Sequence, residues 1–177
     1  LGSSRWLKPF LIWTSWALFL AGLQTTVWPL IVGGVPAPQL WLNLILYFIL
    51  FRPMMTALLL TYALGVLWSP FTSLSLGVFW TSFLFLVPLG SSIKSRTFWP
   101  GVRYFLIGSF MLAFGWHVTS FTVSQIFEPN PASAHLFTRI TDLLLTPLAA
   151  SPQYHIMQWL DRLTQDEPEH RFGGAEE

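Results

Sequence analysis

The chain has 177 residues, 53% of them hydrophobic, 17% aromatic and only 10% charged, less than half the charged share of roughly 25% found in soluble domains. Arg52 is the only charged residue in positions 9–93, and no acid precedes Glu128, so this stretch cannot coat a water-facing surface and a soluble globular fold is ruled against. A net charge of +1 supplies no basic field for nucleic acid, and the absence of cysteine removes disulfides, thiolate metal sites and cysteine nucleophiles.

The useful unit is the membrane span of roughly 20 apolar residues. Arg5 and Lys8 precede the apolar run 10–23 as in a signal sequence, but Leu20-Ala21-Gly22 is followed by Leu23 rather than a lipoprotein cysteine. The expectation is an uncleaved first span over residues 10–28. The uncharged stretch 29–38, with Gly33-Gly34 and Pro36-Ala37-Pro38, then breaks the helix.

Residues 39–51 and 54–68 form a second and a third apolar segment, each too short at 1.5 Å per residue to cross a core of ~30 Å unaided. Fusing them into one helix would bury Arg52 near the bilayer centre at about 2.5–3.5 kcal/mol. It would also place Lys94, Arg96 and Arg103 on the opposite side from Arg5 and Lys8, against the positive-inside rule. A hairpin turning at Arg52-Pro53 avoids both costs. A fourth span is predicted over 74–89, a fifth over 103–127 and a sixth over 136–150.

The predicted fold is therefore all-α: a polytopic membrane helical bundle of six transmembrane helices, with both termini in the cytoplasm. Eight of the nine Lys and Arg residues then lie inside and only Arg139 outside. Residues 1–9 read as a cytoplasmic N-terminus, 10–151 as a single membrane domain, 152–163 as an amphipathic cytoplasmic stretch after Pro152, and 164–177 as an acidic, disordered tail. Trp6, Trp28, Trp41, Trp68, Trp99 and Trp159 fall near span ends, where indoles anchor at headgroup level.

Polar residues inside a membrane are the default candidates for function. On the fifth span His117, Ser120, Ser124 and Glu128 share one face by steps of three and four, and on the sixth Thr138, Arg139, Asp142 and Thr146 do the same. Arg139 and Asp142, three residues apart, either neutralise each other and hold two helices in register or open a polar pocket or partner contact to the outside. Gly101, Gly108 and Gly115 form a seven-residue stripe, which suits close packing of a helix from this chain or from a partner. No H-E-x-x-H, G-x-S-x-G or phosphate-binding loop occurs, so no catalytic residue, cofactor or metal is expected and the protein reads as a non-enzyme.

Several spacings carry a family likeness. Leu23-Gln24 is followed by Trp28-Pro29, Pro38 opens the second segment with Tyr47 nine residues later, and a Gly65-to-Gly77 connection reads Gly-Val-Leu-Trp-Ser-Pro-Phe-Thr-Ser-Leu-Ser-Leu-Gly. Taken together, these resemble the MreD family of bacterial rod-shape-determining membrane proteins, with a departure at Ser69, where many members carry Asp. The resemblance covers nearly the whole chain, roughly residues 10–163. It implies a non-enzymatic component of the cell-elongation complex in the bacterial inner membrane. Such a component binds the bitopic scaffold MreC and works with the glycan polymerase and transpeptidase of lateral peptidoglycan synthesis. The other reading of the polar outer cluster is a six-span substrate-binding subunit of a vitamin or metal importer.

Overall fold

In a computed structural model the chain is described over residues 4–72, 74–97, 101–131 and 135–164, and every regular element among the described residues is helical. Helix α1 (Ser4–Gly22) widens into a π-helical turn (Leu23–Val27) and continues as α2 (Trp28–Val32). It passes Pro29 without a break and ends at Gly33, whose φ of 68° lies in the left-handed region. The helices α3 (Leu40–Phe51), α4 (Met54–Trp68), α5 (Leu76–Thr97), α6 (Val102–Phe127) and α7 (Leu136–Thr164) follow. Three stretches, Leu7–Val32, Met54–Phe71 and Val102–Phe127, are long and apolar enough to cross a membrane.

The break at Arg52-Pro53 is present. Arg52 is extended, its N–H still bonds to the Phe48 carbonyl, and Pro53 opens α4. With only 12 residues, α3 is ~18 Å long, yet Leu40 through Leu50 are all buried, and it packs against α1, α4, α5, α6 and α7. It is the axis of the bundle, and the other helices form its wall.

The exterior of the molecule is apolar, unlike that of a water-soluble protein, and polar side chains are buried within its apolar core. Leu30, Ile31, Leu59, Phe137 and Leu148 are each more than 70% exposed, whereas Asn43, Ser82, Ser109, Thr146 and Gln153 are buried. An apolar exterior with polar groups gathered inside, most of them hydrogen-bonded, suits a hydrocarbon solvent, in which unpaired polar groups are costly.

The centre of that interior is Asn43, which is fully buried. Its amide donates to the Thr146 carbonyl at 3.1 Å and to Gln153 Oε1 at 2.6 Å, and its Oδ1 accepts from Ser109 Oγ at 2.5 Å. Gln153 Nε2 in turn donates to the Leu40 carbonyl at 3.3 Å. One side chain thus ties the axis to both α6 and α7.

Two expectations are corrected by the central place of α3. Trp41 and Trp68 are not surface anchors but lie at 4% and 3% exposure in an aromatic cluster. Trp41 meets Trp116 edge-on, with ring centroids 4.7 Å apart, and also contacts Phe79 and Phe83. Trp159 remains exposed, Trp28 is half-buried with its indole N–H donating to the Val35 carbonyl, and the side chains of Trp6 and Trp99 lie outside the described residues.

The second correction concerns the C-terminal end. No break in the helix marks the predicted boundary at residue 151, since α7 runs unbroken for 29 residues through Pro147 and Pro152. Past Pro152 the helix keeps a buried face of Gln153, Tyr154, Met157 and Leu160. Asp161, in the stretch expected to be amphipathic, forms an ion pair with Arg52 and accepts a hydrogen bond from the Tyr47 hydroxyl. Lys94 Nζ donates to the Arg52 carbonyl at 3.1 Å. Arg52, Lys94 and Asp161 therefore mark one end of the bundle. The rest of the predicted tail, 165–177, lies outside the described residues.

Candidate functional site

At the opposite end, α3, α6 and α7 converge on a polar cavity of about 180 Å³. Its walls include Trp116, His117 and Ser120 from α6, Thr138, Arg139 and Asp142 from α7, and Gln39 immediately before α3. Leu74 and His135 complete the lining. Of the residues singled out in the sequence, His117, Arg139 and Asp142 are thus brought to one place.

Asp142 sits six residues into α7, ~9 Å below its start, and is 5% exposed. Its Oδ2 accepts from Gln39 Nε2 at 3.1 Å, while its Oδ1 is buried with no hydrogen-bond donor. The hydrogen bonds seen here join α7 to its neighbours from Arg139 to α6 and from Asp142 to Gln39. Arg139 donates to the His117 carbonyl at 3.2 Å and lies 4.9 Å from the Phe121 ring centroid, so its stem turns toward α6 rather than back along α7. His117 Nε2 is a second buried polar atom without a partner.

Gln39 is the positioning residue that the sequence reading missed. Its side-chain oxygen accepts from the Trp41 indole at 2.7 Å, its amide nitrogen holds Asp142, and its backbone N–H donates to Thr146 Oγ1 at 2.9 Å. The next N–H, of Leu40, reaches Gln24 Oε1 at 3.3 Å. Because α3 begins inside the protein, the N–H groups at its start need partners from elsewhere in the chain. Gln24 in the π-helical turn and Thr146 on α7 supply them. The visible signal was the pair of amides flanking the Gly/Pro-rich stretch, each next to an apolar run.

Glu128 does not line this cavity. It caps the end of α6, where hydrogen bonds from Ser124 and then Ser75 hold its carboxyl below the usual carboxylate range. The glycine stripe is likewise dispersed. Gly101 precedes α6 with open space around it, a Cβ on Gly108 would lie 3.3 Å from Leu46 of α3, and one on Gly115 would lie 2.9 Å from Leu86 of α5. The close approaches at Gly108 and Gly115 are filled from within the chain, so Gly108→Leu would perturb the axis helix before it could report on a partner.

Among the described residues no group of three His, Asp or Glu side chains is placed to hold a metal ion. A second, wider recess of about 490 Å³ lies between α1 and α7, lined by Leu11, Ile12, Ser15, Trp16, Phe19 and Leu160. It is apolar and faces the exterior. Comparison with family models, curated proteins and solved structures finds no match to this chain.

Proposed function

We propose that this chain is a non-enzymatic, multi-pass component of the bacterial inner membrane, resembling MreD, that binds a bitopic MreC-like scaffold and supports the glycan polymerase and transpeptidase of the elongation complex. The observation that carries this reading is where the family-like residues fall. Gln24 caps α3, Pro38 is buried at its entry, and Tyr47 reaches the ion pair at its other end. Gly65 admits the rings of Phe83 and Trp80, within 3.2 and 3.3 Å of where its Cβ would be. Gln24, Pro38 and Tyr47 thus serve one element, the axis helix, and Gly65 lets α5 close on α4, a distribution that supports the reading. Affinity purification in mild detergent should recover a single-span coiled-coil scaffold, and depletion should round a rod-shaped host. Cells that keep their rod shape on depletion would overturn the reading.

The proposal includes six crossings with both termini inside. Its support is the placement of Arg52 and Lys94 at one end of the bundle, with Gln39 and His135 at the other, which agrees with the charge asymmetry of the sequence. The chain has no cysteine of its own, so labelling is free of background. A cysteine at Ser133, outside the described residues, should react with an impermeant reagent in intact cells, and one at Ser95 should react only after lysis. The reverse pattern would invert the topology.

The polar cavity favours a second reading, a substrate-binding importer subunit. It differs in its partners: such a subunit would co-purify with ATP-hydrolysing coupling proteins instead of a scaffold, and its depletion would impair uptake instead of shape.

A further inference from the structure

The cavity holds two kinds of unfinished chemistry. Asp142 Oδ1 is a buried acceptor without a donor, and the second orphan, His117 Nε2, lines the same space. A buried carboxylate oxygen left unmatched costs more than a neutral group would, so such an atom marks a place where a donor belongs. Arg139 stands in the same wall. A lone cation entering to satisfy Asp142 would therefore meet a guanidinium, and a lone anion drawn to Arg139 would meet a carboxylate. A ligand carrying both charges meets each of these groups with its complement and adds no net charge to a medium where net charge is expensive.

Size narrows the class further. At ~30 Å³ per water, a cavity of about 180 Å³ has room for on the order of six waters, and it is smaller than the ~300–1,000 Å³ of pockets for drug-sized ligands. We infer that this end of the bundle binds a small zwitterion with a primary ammonium and an anionic group, of the aminoethyl phosphate kind, whose N–H donates to Asp142 Oδ1 while its anion faces Arg139. Such a group is available either as a free solute or as the head of an aminophospholipid, and the two sources share the chemistry the site would read.

The inference goes beyond the scaffold reading and does not depend on it, since partner recovery and ligand binding are measured separately. The test is isothermal titration of free phosphoethanolamine into the full-length protein in nanodiscs of phosphatidylglycerol, repeated in nanodiscs containing phosphatidylethanolamine. Saturable binding is expected in the first. Equal binding in the second identifies a soluble ligand, whereas loss of binding there, by competition, identifies the lipid head.

Asp142→Asn keeps an oxygen for Gln39 but presents no anionic acceptor to the ligand, and should weaken binding by roughly tenfold or more. Phosphocholine, which has the same charges but no N–H, should bind at least as poorly to the unaltered protein, a comparison that needs no variant to fold. Absence of saturable phosphoethanolamine binding in phosphatidylglycerol nanodiscs would make the cavity a pocket for water. Phosphocholine binding as tight as phosphoethanolamine, or an Asp142→Asn protein that binds undiminished, would remove the carboxylate from recognition. Any of these three results overturns the inference.

Discussion

Asn43→Leu should lower the stability of the detergent-solubilised protein by about 2–4 kcal/mol, more than loss of one polar contact would suggest. The substitution adds apolar volume to the axis helix and strands the Gln153 carbonyl oxygen and the Ser109 hydroxyl, both buried and both dependent on Asn43. Interhelical hydrogen bonds in membranes are individually worth about 0.6 kcal/mol on average, so deletion of the bonds alone would account for the smaller part. The larger part comes from the stranded partners. The double variant Asn43→Leu with Gln153→Leu should accordingly lose less than the sum of the two single substitutions. Thermal unfolding in dodecyl maltoside measures all three, and strict additivity would show that the network is not coupled.

A chain terminated after Ser151 should fail to accumulate as a folded protein. If the last part of α7 were a peripheral amphipathic stretch, its removal would leave the bundle intact. In the structure that segment supplies Gln153 to the Asn43 network, Tyr154 and Met157 to the core, and Asp161 to Arg52. Losing them opens one side of the axis helix along half its length and leaves Arg52 without its carboxylate. The single change Asp161→Asn isolates the last of these effects. With side-chain exposures of 30% for Arg52 and 14% for Asp161, the pair is partly solvated, and about 1–2 kcal/mol is expected rather than the 3–5 of a fully buried pair. Size-exclusion profiles of the truncated and point variants distinguish the two cases, and a monodisperse truncated protein would return the segment to a peripheral role.

Much of this architecture was legible because charge is scarce. Arg52 could be read as a helix break since a guanidinium has few tolerable positions in an apolar run, and the cluster around His117, Arg139 and Asp142 stood out for the same reason. What could not be read was which apolar surface faces protein and which faces lipid. Inside a bilayer both are hydrocarbon, so α3, apolar on every side but for Asn43 and Tyr47, shows no periodicity that would reveal its place at the axis. Trp41 and Trp68 were misplaced for this reason: an indole near a helix end reads as an anchor unless the helix is known to be enclosed.

The continuity of α7 was hidden differently. Pro147 and Pro152 each remove a backbone donor, but in a helix supported by neighbours along its length the loss is tolerated. Asp161 fell in a stretch expected to be merely amphipathic, and only the fold brings it to Arg52. Gln39, the residue that holds Asp142, carries no charge and so drew no attention.

The π-helical turn has a further consequence. The Trp28 N–H bonds to the Leu23 carbonyl five residues back, so the turn holds one residue more than an α-helix would. Removing a single residue between Leu23 and Val27 would restore ordinary winding, keep the flanking turns nearly in phase and shift only the residues within the turn. Gln24 would then have to choose between the α3 terminus and its own helix register. The extra residue thus sets where Gln24 sits, and a chain without it would have to close the start of its axis helix by other means.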